Sequence, residues 1–287
     1  MTLKEPFLAP TAPELIWFTG SDAIRFLNDL ISQEIGDAEP GSVRRSLLLT
    51  PQGKLDHMFW ALRGHEEVGL VVDRGHGEAL MSTLGRYRIR VEVEIEPAGE
   101  DMWLVVGPYQ HEEGRWSGDR SALIADVSWP TVARTLVVGE KPDRPVLDVE
   151  SYELLRIEAG EPLIGVDVTD ATIPQETGLV ASTVSFDKGC FLGQELVARL
   201  DSRGGRVNHH LRILRFDAGT PDLGSEIIKA GESVGVLTSA AQGVGLSNLR
   251  RGVEPGDVVT VGETQAVVEA VPRSGPSDDQ GGSGPTV

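Results

Sequence analysis

Beyond Gly205 the chain shows no helical periodicity, and this change of texture restricts its fold more than any other feature. Residues 211–216, 233–238, 258–261 and 266–271 are short β-like runs separated by glycine-containing turns. That spacing predicts a small all-β barrel or sandwich over residues 206–272. Before Gly205 the patterns are mixed. Ser21 is placed to cap a helix that carries Ile24, Leu27, Leu30 and Ile31 on one stripe. Leu47-Leu48-Leu49, the turn Thr50-Pro51-Gln52-Gly53 and residues 55–62 read as a β-hairpin, and residues 69–72 as another strand. Leu80, Leu84 and Tyr87 have helical spacing, whereas Val91, Val93 and Ile95 alternate with Glu92, Glu94 and Glu96 as in a strand wet on one face. Residues 103–107 open what reads as a second strand-and-helix set, and a further helix runs from Ser151 to Glu158. Strands and helices in this irregular order indicate an α+β fold over residues 1–205, and the length of the chain suits two or three small lobes. Residues 273–287, almost all Gly, Ser, Pro and Asp, have nothing to bury and read as a disordered tail.

Composition narrows the function. A net charge of −18 argues against nucleic acid and against an anionic membrane surface as partners. No stretch approaches the roughly 18 apolar residues of a membrane span, and the N-terminal residues lack a signal-peptide pattern. One cysteine in 287 residues rules out an internal disulfide and suits a reducing compartment, so the expected location is the cytoplasm.

That cysteine stands in Lys188-Gly189-Cys190-Phe191-Leu192-Gly193-Gln194-Glu195. A helix is expected just after Gly193, with Leu196, Val197 and Leu200 inward and Gly204-Gly205 as its stop. A nearby helix start and a lysine two residues away both favour thiolate, the form that attacks electrophiles or binds metal. The alternative is a small buried hydrophobe. His209-His210 do not complete a metal site, because neighbours on a strand point to opposite faces, and no zinc-ligand spacing is present; no metal is expected. The glycine-rich stretches match no phosphate-binding loop.

The segment from Ser185 to Glu195 resembles the signature of the YgfZ-type folate-binding proteins, relatives of the glycine-cleavage T-protein, an aminomethyltransferase. Further similarities follow in chain order: Gly20-Ser21-Asp22-Ala23 with Phe26-Leu27-Asn28, Leu47 to Lys54, Arg86-Tyr87-Arg88-Ile89-Arg90, Arg156-Ile157-Glu158-Ala159-Gly160, and Pro174-Gln175-Glu176. The resemblance spans about residues 14 to 272. It implies two sheet-and-helix lobes and a C-terminal β-barrel around a central hole that holds tetrahydrofolate. It also implies a role in iron–sulfur cluster assembly or repair, with folate and iron–sulfur assembly or client proteins as partners. Cys190 becomes the functional thiol and Lys188 its activating neighbour. Glu158 becomes the pterin carboxylate, with Asp56, Tyr87 and Glu176 as further cofactor contacts. Glu158 lies at the negative end of its helix, at a cost of about 0.3–1 kcal/mol if exposed, which pterin N–H donors would offset. The true aminomethyltransferases lack the Lys-Gly-Cys triplet and carry paired aspartates where this chain has Asp56-His57. Which of these two holds the enzymes' reactive position is open. The departure favours a non-enzymatic factor; the alternatives are a folate-dependent aminomethyltransferase or demethylase, and a folate-binding module without catalysis.

Overall fold

The computed structural model describes residues 3–272; the expected tail lies outside them. Strands β1 (Phe7–Leu8) and β2 (Glu14–Thr19) precede helix α1 (Ala23–Leu30) and the hairpin of β3 (Val43–Leu49) and β4 (Leu55–Arg63). Strand β5 (Val68–Val72), helix α2 (Gly77–Gly85) and strand β6 (Glu94–Pro97) complete the first lobe, an antiparallel sheet of order β3-β4-β5-β2-β6. Its strands β2 and β5 are apolar on both faces because both faces are covered. In β2, Leu15 and Trp17 point into one core while Ile16 and Phe18 point into another. Helix α1 covers the second with Ala23, Phe26, Leu27 and Leu30, each large side chain contributing roughly 1.5–3 kcal/mol on burial.

The segment opened by residues 103–107 departs from expectation. No helix follows it directly. Instead β7 (Met102–Val106), β8 (Trp116–Asp119), β9 (Ala122–Asp126) and β10 (Arg134–Val138) join β1 in a second antiparallel sheet, β1-β7-β10-β9-β8. The polar stretch between β7 and β9 turns back on itself: Asp119 Oδ1 accepts the amides of Ser121 and Ala122, closing the β8–β9 turn. The two sheets face each other through Leu15, Trp17 and Trp60 on one side and Leu104, Val106 and Leu136 on the other. Helix α3 (Val149–Glu158) closes their edge, capped by Asp148, whose carboxylate accepts the Ser151 amide.

Three short helices follow: α4 (Pro174–Thr177), α5 (Val180–Thr183) and α6 (Gln194–Asp201). Helix α6 begins after Gly193 as expected, but of its three inward candidates only Val197 is buried. The third sheet contains β11 (His209–Phe216), β12 (Glu226–Lys229), β13 (Glu232–Val236), β14 (Ser239–Ala241), β15 (Val244–Arg250), β16 (Val258–Val261) and β17 (Thr264–Ala270). Its order, β13-β12-β16-β17-β11-β15-β14, curls so far that Gly235 of β13 lies against Leu249 of β15. This α+β arrangement contains β12, β14 and β15, which the sequence patterns did not single out. Two boundaries also moved. Ser21 does not cap α1; Asp22 is the N-cap residue, and the Ser21 hydroxyl donates to Glu92. The strand expected from Val91 begins only at Glu94, because Arg90 adopts a φ of 57° and turns the chain first.

Candidate functional site

Four contacts hold the segment around Cys190. The Lys188 ammonium donates to three backbone carbonyls at the end of α1: Asn28 O at 2.6 Å, Ile31 O at 2.9 Å and Gln33 O at 2.9 Å. A cation is favourable at this helix terminus, where carbonyls lack amide partners. Phe191 is buried among Leu49, Leu55 and Val197, and the Ser185 amide donates to Ser32 O. Gly193, at φ 76°, meets the hairpin turn so closely that a Cβ would lie 2.4 Å from Thr50 O. The turn reciprocates: a Cβ on Gly53 would come within 2.7 Å of the Leu196 Cβ. Two stretches far apart in sequence, the hairpin turn and the Lys-Gly-Cys segment, therefore form one rigid unit that leaves Cys190 exposed as a free thiol. The alternative of a buried hydrophobe does not apply. Lys188 is directed into carbonyls, so its role here is to clamp the loop; burial pulls its pKa down to about 8, with Glu34 and Asp29 opposing.

The other expected residues lie apart. Asp56 is the extra residue of a bulge in the β3–β4 ladder, between Leu55 and His57, with His57 Nδ1 3.4 Å from Asp56 Oδ2, an ion-pair distance rather than an aligned hydrogen bond. The imidazole holds the Asp56 carboxyl below its ordinary value, partial burial opposes this, and Arg86 adds to the lowering. Tyr87 packs against the core beneath α2. Glu176 accepts the Ile173 amide and sits 3.3 Å from His209 of β11. Glu158 also faces the third sheet, 3.5 Å from Arg215 Nη1 of β11.

A chamber of about 360 Å³ lies between the first two sheets and α3, lined in part by Trp60, Trp129, Arg134, Tyr152 and Glu153. Along α3, Tyr152, Glu153 and Arg156 share this side; Glu158, two residues beyond Arg156, is turned by about 200° and is not among the lining residues. Of Glu153 and Glu158 on α3, the carboxylate that lines the chamber is Glu153. Its Oε2 accepts both Arg156 Nε and Nη2, at 3.0 and 2.8 Å. Arg156 is itself 1% exposed and also bonds Asp167, Ser239 and the Glu161 carbonyl. The Arg134 guanidinium lies over Trp129 at 3.6 Å and Trp60 at 4.8 Å, and donates to Tyr152 Oη at 3.3 Å. Its Nη2 and the Trp129 Nε1 are buried without a partner among the described residues. Burial raises the Tyr152 pKa against the pull of Arg134. Flat aromatic walls, a carboxylate and donors in want of acceptors suit a planar heteroaromatic ligand carrying both donors and acceptors, as a pterin does. Nothing in the sequence pointed to Trp60, Trp129, Arg134 or Glu153, because two sheets and a helix bring them together from across the chain.

No protein-family model matches the chain. It is 28% identical over 225 residues to an iron–sulfur cluster assembly factor IBA57 homolog, mitochondrial, of Phaeosphaeria nodorum, covering 71% of this chain but only about half, 54%, of that protein. The human mitochondrial iron–sulfur cluster assembly factor IBA57 is 28% identical over 266 residues, covering 82% of this chain and 74% of the other. The tRNA-modifying protein YgfZ of Escherichia fergusonii is 23% identical over 244 residues, covering 76% and 75%. The fold superposes on the glycine cleavage system aminomethyltransferase T of Bartonella henselae with a TM-score of 0.82, over 95% of this chain and 88% of that one, at 17% identity. With the signature around Cys190 and the hairpin turn joined in one unit, the chain is similar in sequence to the YgfZ and IBA57 proteins and shares the fold of the glycine cleavage aminomethyltransferase T.

Proposed function

We propose that this protein is a tetrahydrofolate-binding factor for iron–sulfur cluster assembly or repair, acting in the cytoplasm through the Cys190 thiol. The observation that carries the reading is the display of Cys190. A lone exposed thiol sits on a loop fixed by an ammonium, a buried phenyl ring and two glycine contacts. Such immobilisation has no packing purpose for an exposed side chain, and it suits a sulfur that must meet an iron or a sulfur atom in a set geometry. A cluster held by four thiolates needs more than the one cysteine of this chain. Cys190 therefore makes a transient contact with cargo held largely by a client or assembly partner. Among the described residues no helix is long and apolar enough to cross a membrane.

Tetrahydrofolate is assigned to the chamber, with Trp60 and Trp129 beside the pterin and Glu153 accepting its N–H groups. Bound there, folate would supply a one-carbon carrier or a redox-active ring. The residues around it hold and orient it; Asp56, paired with His57, lies outside the chamber lining, which favours a factor over an aminomethyltransferase.

The test is Cys190→Ser in cells lacking the gene, with the activity of an iron–sulfur enzyme as readout. Sulfur to oxygen is a small change at an exposed site, so melting should move by less than about 2 °C. Rescue should be lost, because the hydroxyl neither ionises near neutral pH nor binds iron comparably. Full rescue by the serine variant would remove the thiol from the function.

A further inference from the structure

In a chain of net charge −18, residues 86–90 carry three arginines, Arg86, Arg88 and Arg90, all exposed. None has a salt bridge or side-chain hydrogen bond with another described residue; Arg86 has only its longer-range influence on Asp56. At their centre Ile89 is 72% exposed, more than any other large hydrophobic side chain described. The segment is held in place. Tyr87 anchors it in the core under α2, Arg88 N donates to Gly85 O and Ile89 N to Tyr87 O, and Arg90 takes a φ of 57°. The dipole of α2 accounts for a cation at Arg86, within reach of the last turn. It accounts neither for Arg90, five residues past Gly85, nor for a bare isoleucine between arginines. The nearby acidic strand does not pair with the patch: Glu92 accepts the Ser21 hydroxyl, Glu96 pairs with Arg120, and none of Glu92, Glu94 and Glu96 forms a salt bridge with Arg86, Arg88 or Arg90 among the described residues.

We infer that residues 86–90 form a docking surface for an acidic segment of a partner protein, its carboxylates meeting Arg88 and Arg90 and an apolar side chain covering Ile89. Arginine around an apolar centre is the composition of a protein interface. Guanidinium pairs with carboxylate in a two-pronged geometry that lysine cannot offer. Nucleic acid fits less well. Five extended residues span at most about 17 Å and reach few phosphates, while the surrounding negative field repels a long polyanion. A short acidic segment escapes most of that field, which salt screens within about 8–10 Å. The inference is independent of folate and of Cys190.

The test uses the full chain and a fluorescein-labelled twelve-residue peptide of glutamates and leucines, read by fluorescence anisotropy. A single-stranded RNA of the same charge is the second probe. The peptide should bind the wild-type protein, more weakly as salt rises. Its affinity should fall at least tenfold with Arg88→Gln/Arg90→Asn and at least threefold with Ile89→Ser. Asn is chosen at position 90 because it tolerates positive φ. Melting temperatures verify folding, and Arg88→Gln alone, expected to weaken binding about threefold, serves if the double variant does not fold. Absence of peptide binding, equal affinity in wild type and variants, or a preference for the RNA would each overturn the inference.

Discussion

Replacing Lys188 with Met keeps most of the aliphatic stem and removes the ammonium that ties the Cys190 loop to α1. Three carbonyls, of Asn28, Ile31 and Gln33, lose their donor. Truncating hydrogen bonds to a charged group costs about 1.5–3 kcal/mol. One effect opposes it: the charge no longer has to be buried. A pKa lowered from 10.5 to about 8 corresponds to at most about 3.4 kcal/mol at ~1.36 kcal/mol per unit. The ammonium is only partly withdrawn from water, so we retain roughly a third of that, about 1 kcal/mol. The expected net loss at pH 7 is about 0.5–2 kcal/mol, a fall in melting temperature of roughly 1–4 °C. The pH dependence has a definite sign. Because the folded pKa lies below the unfolded one, the unfolded state binds more protons between about pH 8 and pH 10.5, and wild-type stability gains with pH across that window. Urea unfolding at pH 7 and pH 10 should therefore show the Met variant falling further behind at the higher pH. Amide exchange at Cys190 and Phe191 should speed up, and rescue of iron–sulfur enzyme activity should drop although the thiol is intact. A Met variant with unchanged melting at both pH values, unchanged exchange and full rescue would refute the clamp.

Three further outcomes are expected. Gly193→Ala places a Cβ 2.4 Å from Thr50 O at a positive φ, so unfolding in urea should show a loss above about 2 kcal/mol; a change below 0.5 kcal/mol would mean that the turn and loop part freely. Arg156→Met leaves the buried Asp167 carboxylate without its cation and should cost about 3–5 kcal/mol by thermal melting, whereas near-wild-type stability would show the network to be dispensable. Glu153→Gln should weaken tetrahydrofolate binding about tenfold or more by calorimetry while Glu158→Gln changes it less than about twofold; the reverse order would move the pterin out of the chamber.

The hairpin from Leu47 to Leu62 was legible because its turn chemistry and apolar runs are local, and α1 because its stripe repeats at helical spacing. The second sheet was not, since β8 is short, polar and glycine-bearing and takes its place only through pairing with β9. Strand β15 was missed for a related reason. Its Ser247 and Asn248 break the apolar pattern, yet it lies between β11 and β14, where Ser247 finds the Val236 carbonyl. The signature around Cys190 was readable as a motif, but the direction of Lys188 was not, because its acceptors lie some 155 residues earlier. Helical phase is also silent on the chamber: a spacing of five residues places Glu153 and Glu158 on different partners, and only the packing of α3 decides which one lines it.

The buried Arg156 has a mechanical consequence. Through Asp167, whose Oδ1 accepts the hydroxyls of Thr238 and Ser239, one guanidinium rivets α3 to the β14 end of the curled sheet. Beside this rivet Leu154 and Ile157 of α3 share a core with Leu211, Ile213 and Leu246. A protease nick near Gly205 would thus leave two fragments still bound to each other. Either fragment alone would present a greasy face and a stranded charge, so the halves should survive as a nicked pair and aggregate when separated.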